Sequence, residues 1–239
     1  MNELTSIILN CYDHTQMQRN SSMAAAVAIT RYTDPKDYEF IVVDCEPMKD
    51  YIFNYKPPIL VGNTNVKVDK FIELNPDPGY YAAMNIGAEN AKGEYLCFIE
   101  NDVFVTPNWL PNLRWYLENN VLDAVFPHQA EESYDNYIEN TNKTMEDAYN
   151  TGCEEQGLML IKRSSFDKLG GWDKKLPVGF GWKNMLENMN DNHVKFGTTM
   201  KSVITHLCGL TFFTMSLMDN KRFENNLHIE NTYISNKTK

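Results

Sequence analysis

Positive charge is what this 239-residue chain is short of: 22 Lys and Arg stand against 32 Asp and Glu, a formal net charge of −10. That balance argues against broad affinity for nucleic acid or anionic membranes, which is built from clustered Lys and Arg. Long apolar runs are missing too. The longest apolar-leaning piece, residues 207–218, is too short to span a bilayer and is interrupted by polar residues. The opening MNELTSIILN has no basic region and too short an apolar run for a signal peptide. Only five cysteines occur, at 11, 45, 97, 153 and 208, with no close pair and no Cys-x-x-Cys. Such an odd, scattered set fits reduced core thiols in a cytoplasmic compartment rather than a disulfide framework. No glycine lies between Asn10 and Asn20, which disfavours the Gly-rich phosphate loop of a nucleotidyltransferase. No internal repeat is visible.

What is present suffices for a sizeable core: 43% hydrophobic and 12% aromatic residues in a length suited to one large α/β domain. Ser6–Tyr12 reads as a first strand, Gln16–Tyr32 as a helix rich in Met and Ala, and Phe40–Cys45 as a second strand. Strand, helix, strand is the parallel unit that opens a doubly wound sheet, so Tyr12 and Asp44 are expected on one edge of it. Short strands are expected at Ile59–Val61 and Phe71–Leu74, and Asn75-Pro76-Asp77-Pro78-Gly79 punctuates the chain.

The most informative stretch runs from Gly79 to Trp109. Tyr81–Ala91 is helix-like, Gly93 ends it, and Tyr95–Ile99 is a short continuous apolar run of the kind covered on both faces. The run stops at Glu100-Asn101-Asp102. Ligands of open α/β sheets bind outside the carboxyl ends of the strands, and two acids one position apart there suit a hard cation bridging a diphosphate. From spacing alone a solvated strand end is the preferred reading. Trp109–Asn119 reads as a helix and Ala124–Pro127 as a strand with His128 at its end. From Gln129 to Gln156 the composition turns acidic and polar, as in a solvated run.

The order of helix, Gly93-Glu94-Tyr95, apolar strand, Glu100-Asn101-Asp102 and Trp109-Leu110 resembles the sugar-nucleotide-binding half of family 2 glycosyltransferases. So does Ser165-Phe166-Asp167-Lys168-Leu169-Gly170-Gly171-Trp172-Asp173, close to the family's F-x-x-x-G-G-[FW]-D. The resemblance covers nearly residues 5–207. It implies a GT-A, Rossmann-like α/β fold: a single domain with a mostly parallel central sheet flanked by helices. Residues 1–208 would form it, with a donor half to about 127 and an acceptor half from about 128. Residues 209–239 would add a C-terminal helix and tail. The implied activity is transfer of a sugar from a nucleoside diphosphate sugar, a UDP-sugar first among them, to a hydroxyl with inversion. The acceptor could be a glycan, a lipid-linked sugar, a protein or a modified nucleic acid.

Site residues follow from the same resemblance. Asp102, with Glu100 at the first acidic position and His206 ending a late strand over Val203–Leu207, would hold Mn²⁺ or Mg²⁺. An imidazole in the set favours Mn²⁺. Tyr12 and Asp44 would bind the base, although Asp44 alone also reads as a strand-end turn former. Asn85, in Ala82-Ala83-Met84-Asn85-Ile86-Gly87, would face the donor, with Met84 where the family has Arg. Trp172, Asp173, Tyr134 and Tyr137 would shape the acceptor site, and Gly157–Arg163 would be an edge strand. Inversion needs a base for the acceptor's proton, yet Lys183-Asn184 stand where the family places Glu-Asp. Glu187 or Asp173 is left to supply the carboxylate. A binding module on this fold that has lost catalysis is the alternative.

Overall fold

A computed structural model describes residues 3–12, 15–45, 59–61, 64–129, 142–153, 157–176 and 179–208. The chain runs β1 (Thr5–Cys11), α1 (Gln16–Tyr32), β2 (Tyr38–Cys45), β3 (Ile59–Val61), β4 (Thr64–Val66), β5 (Lys70–Leu74) and α2 (Tyr80–Glu89). It continues as β6 (Tyr95–Glu100), β7 (Val103–Val105), α3 (Trp109–Glu118), β8 (Ala124–Gln129) and β9 (Tyr149–Thr151). Last come β10 (Leu158–Lys162), α4 (Arg163–Leu169), α5 (Phe180–Asp191) and β11 (Phe196–His206). The expected tail and the tyrosines at 134 and 137 lie outside the described residues.

Alternation in the strands separates two cores. Ile7, Leu9, Phe40, Val42, Cys97 and Ile99 face α1 and α3, where they meet Ala25, Ile29, Trp109 and Leu113. Their neighbours Ile8, Ile41, Val43, Leu96 and Phe98 face the other way, onto Tyr81, Met84, Phe166, Trp182 and Met185 of α2, α4 and α5. Each such side chain, fully buried, contributes about 1.5–3 kcal/mol. The result is a sheet covered on both faces, which is why β1 and β6 read as unbroken apolar runs.

The main sheet has the order β5-β2-β1-β6-β10-β8-β11-β7, with β9 paired to β11. Strands β5, β2, β1, β6, β8 and β11 share one direction and β10, β7 and β9 oppose it. β1 has β2 on one side and β6 on the other, so the strand order reverses there and a crevice opens at the carboxyl ends. Register places Cys11 beside Asp44 and Asn10 beside Glu100 along that edge.

Three expectations are corrected. β10 is not an edge strand: it lies between β6 and β8, and its residues Leu158–Ile161 are buried because both faces are covered. The acidic run is not solvated throughout, since Ala148 is buried and Tyr149–Thr151 pairs with β11. Of the five free cysteines, Cys11, Cys45 and Cys97 are core thiols, whereas Cys153 is half-buried and Cys208 exposed. Among the described residues no helix is long and apolar enough to cross a membrane.

Candidate active site

Asn101 explains why Glu100 and Asp102 face the same way. On one side of the strand end, buried Ser21 of α1 donates to the Asn101 carbonyl (2.9 Å) and the Asn101 amide donates to Ser22 (3.0 Å). The two flanking acids both face His206. The chain then turns into β7, which pairs antiparallel with β11 and sets His206 opposite Val103. A main-chain bond from Leu207 N–H to the Asp102 carbonyl (3.1 Å) closes the arrangement. A register shift in β11 between Thr199 and Val203 re-aims its last residues toward this edge.

His206 Nε2 lies 3.2 Å from Asp102 Oδ1 and 3.3 Å from Glu100 Oε2. Ligand atoms of all three residues fall within 4.8 Å of one another. The side chains of Asp102 and His206 are 5% and 7% exposed, and that of Glu100 is 21% exposed. The ring nitrogen thus faces both carboxylates at ion-pair distance. Behind it stands Gly157, at φ +104°, whose carbonyl accepts from Glu100 N–H (2.9 Å). A Cβ there would come within 2.9 Å of the His206 ring.

Burial acts to lower the pKa of His206, but Asp102 and Glu100 outweigh it and hold it up at about 10. A folded-state pKa above the ordinary 6.5 contributes stability that is fully present below pH 6.5 and fades as pH rises toward 10. In EDTA, the Tm difference between the protein and His206→Gln should therefore shrink steadily from pH 6 to pH 10. Parallel curves would show that the ring does not carry the proton.

Glu100 Oε1 accepts from Tyr80 Oη and Trp182 Nε1, each at 2.8 Å. Neither donor was legible in the sequence, because one opens α2 and the other lies 82 residues beyond Glu100. An aromatic group surrounds them: Trp172 packs edge-on to Trp182 (4.9 Å) and stacks on Tyr81 (5.4 Å).

The remaining expected residues separate into two places. Tyr12 and Asp44 lie at the same sheet edge as Glu100, with Asp44 wholly buried. Asp173 and Glu187 share a polar cleft of about 330 Å³ with Asn184, Asn188 and Asp191. Trp172 also lines that cleft, so its contact with Trp182 connects the cleft to Glu100. Asn85 is committed elsewhere: its amide donates to the Trp172 carbonyl (2.8 Å) and accepts from Trp172 N–H (2.9 Å). It fastens α2 to the Gly170–Trp172 turn.

The family model described as glycosyl transferase family 2 matches residues 6–171. No curated protein matches. Among solved structures, the crystal structure of GalNAc-T7 with UDP, GalNAc and Mn²⁺ superposes with a TM-score of 0.64 at 17% identity, over 85% of this chain and 44% of that one. The chain thus spans less than half of that structure, and the likeness is one of fold.

Proposed function

The chain belongs to glycosyl transferase family 2, and from that premise we propose that it transfers a sugar from a nucleoside diphosphate sugar, a UDP-sugar first among them, to an acceptor hydroxyl. The observation that carries this reading is the Glu100, Asp102 and His206 group at the carboxyl edge of the sheet. Two carboxylate oxygens and an imidazole nitrogen within 4.8 Å of one another form a donor set that fits a divalent cation, Mn²⁺ better than Mg²⁺. Such an ion, when bound, neutralises charge building on a departing diphosphate. Support for the pairing of nucleotide and cation comes from the structural neighbour, which was crystallised with UDP and Mn²⁺.

The protein's own residues do the rest of the work. Asp44 and Tyr12 bind the base at the end of β2 and β1, the buried carboxylate accepting from a ring N–H. Asn85 acts indirectly, by holding the turn that carries Trp172 and Asp173. On the acceptor side, Glu187 or Asp173 takes the hydroxyl proton as the oxygen attacks the anomeric carbon opposite the breaking bond to the diphosphate, a single displacement that inverts that carbon. The polar cleft they share supports this role.

A second reading, a module that binds a nucleotide sugar without transferring it, is favoured by one observation. Near the start of α5, Lys183 and Asn184 stand where the resemblance places the family's Glu-Asp. Release of UDP from a panel of UDP-sugars, with Mn²⁺ and with EDTA, separates the two. We expect Mn²⁺-dependent release from one sugar, lost in Asp102→Asn. Tight binding of a UDP-sugar with no release over the full panel of acceptors would favour the module.

A further inference from the structure

The cation reading leaves two aromatic donors unexplained, half-buried Tyr80 and buried Trp182. A carboxylate has two oxygens, and Glu100 uses them differently. Oε1 receives the Tyr80 hydroxyl and the Trp182 indole N–H, both at 2.8 Å, while Oε2 faces the His206 ring at 3.3 Å. Neither Tyr80 nor Trp182 offers a metal-ligand atom of the ordinary kind, so any influence on a cation passes through Glu100. We propose that Tyr80 and Trp182 are positioning residues that fix the Glu100 carboxylate so that Oε2 alone is presented to the cation. This inference rests on the cation-site reading above and assigns the residues that prepare it.

The two donors are themselves locked. Tyr80 is the first residue of α2 and Trp182 the third of α5. Tyr81 ties the two helix starts together: its hydroxyl accepts from Gly179 N–H (3.2 Å) and Gly181 N–H (2.9 Å). Gly181 makes this possible, because a Cβ there would overlap the Tyr81 ring. Trp182 is held in turn by Trp172, edge-on at 4.9 Å. The Tyr80 hydroxyl can reach Glu100 only as a donor, because an ionised carboxylate only accepts. Without these bonds Glu100 could turn away from the like charge of Asp102. With them it stays aimed at the shared space. Outer partners that orient a metal ligand in this way typically control affinity by 10–100-fold.

The test is Mn²⁺ alone, titrated by EPR into the wild type, Asp102→Asn, Tyr80→Phe and Trp182→Phe, each well below its Tm. Asp102→Asn should weaken binding by about 100-fold or more, Trp182→Phe by roughly 10–100-fold and Tyr80→Phe by about 10-fold. A purely structural role would lower Tm and leave the Mn²⁺ affinity of the folded protein unchanged. If Asp102→Asn loses Mn²⁺ while the Phe variants bind as the wild type does, the positioning role is wrong and the cation site stands. If Asp102→Asn binds as tightly as the wild type, the site itself is wrong and this inference falls with it. Should Trp182→Phe not fold, Tyr80→Phe decides alone, since it removes one hydroxyl.

Discussion

Asp102→Asn is expected to lower sugar transfer by about 10³-fold, close to 4 kcal/mol of transition-state stabilisation. The substitution keeps the shape of the side chain and removes one negative charge from a position that is 5% exposed, where charge is weakly screened. The main-chain bond between Leu207 and Asp102 does not depend on the carboxylate, so the fold should persist. Initial rates at saturating Mn²⁺ and circular dichroism on the same samples would check both halves. A folded Asn variant with more than a tenth of wild-type activity would remove Asp102 from the reaction.

The second large effect is on stability. Gly181→Ala should cost about 3 kcal/mol, a fall in Tm of roughly 6 to 12 °C. Its Cβ would lie 2.2 to 2.5 Å from three atoms of the Tyr81 ring, and Tyr81 is 1% exposed. The ring cannot retreat, because Trp172 stacks on it and its hydroxyl is held by the start of α5. Gly170→Ala is the control: that glycine, unlike helical Gly181, has positive φ, and its Cβ would meet open space, so only about 1 kcal/mol of backbone strain is expected. A loss at Gly181 no larger than that at Gly170 would mean that the Tyr81 contact does not carry the cost.

How far the sequence spoke follows from where the information lies. β1, β2 and β6 were legible because a strand buried on both faces needs a continuous apolar run, and Gly93 marked the turn before β6. The acidic pair Glu100 and Asp102 was legible too, as two acids one position apart where the apolar run of β6 stops. His206 could be placed only through the family resemblance, because an imidazole at the end of an apolar strand is ambiguous until β7 sets it beside Asp102. Tyr80 and Trp182 were not legible at all. Their hydrogen bonds to Glu100 depend on how α2 and α5 meet, and that meeting is fixed by Tyr81 and a missing Cβ at Gly181. The central position of β10 escaped for a similar reason: an apolar run shows that a strand is covered, not which strands are its neighbours. β9 was hidden inside a polar stretch, where pairing with β11 rather than an apolar face makes the strand.

The central claim is that this sheet edge holds a nucleotide diphosphate together with a divalent cation. Thermal melting of the wild type and Asp102→Asn with UDP, GDP, CDP, dTDP and ADP, each with Mn²⁺ and with EDTA, tests it most directly. A nucleotide at about a hundred times its Kd adds about 2.7 kcal/mol, which is a rise of roughly 5 to 11 °C in a domain of this size. The expected result is such a rise with UDP and Mn²⁺, absent in EDTA and absent in Asp102→Asn. No rise with any nucleotide in the presence of Mn²⁺ would contradict the claim.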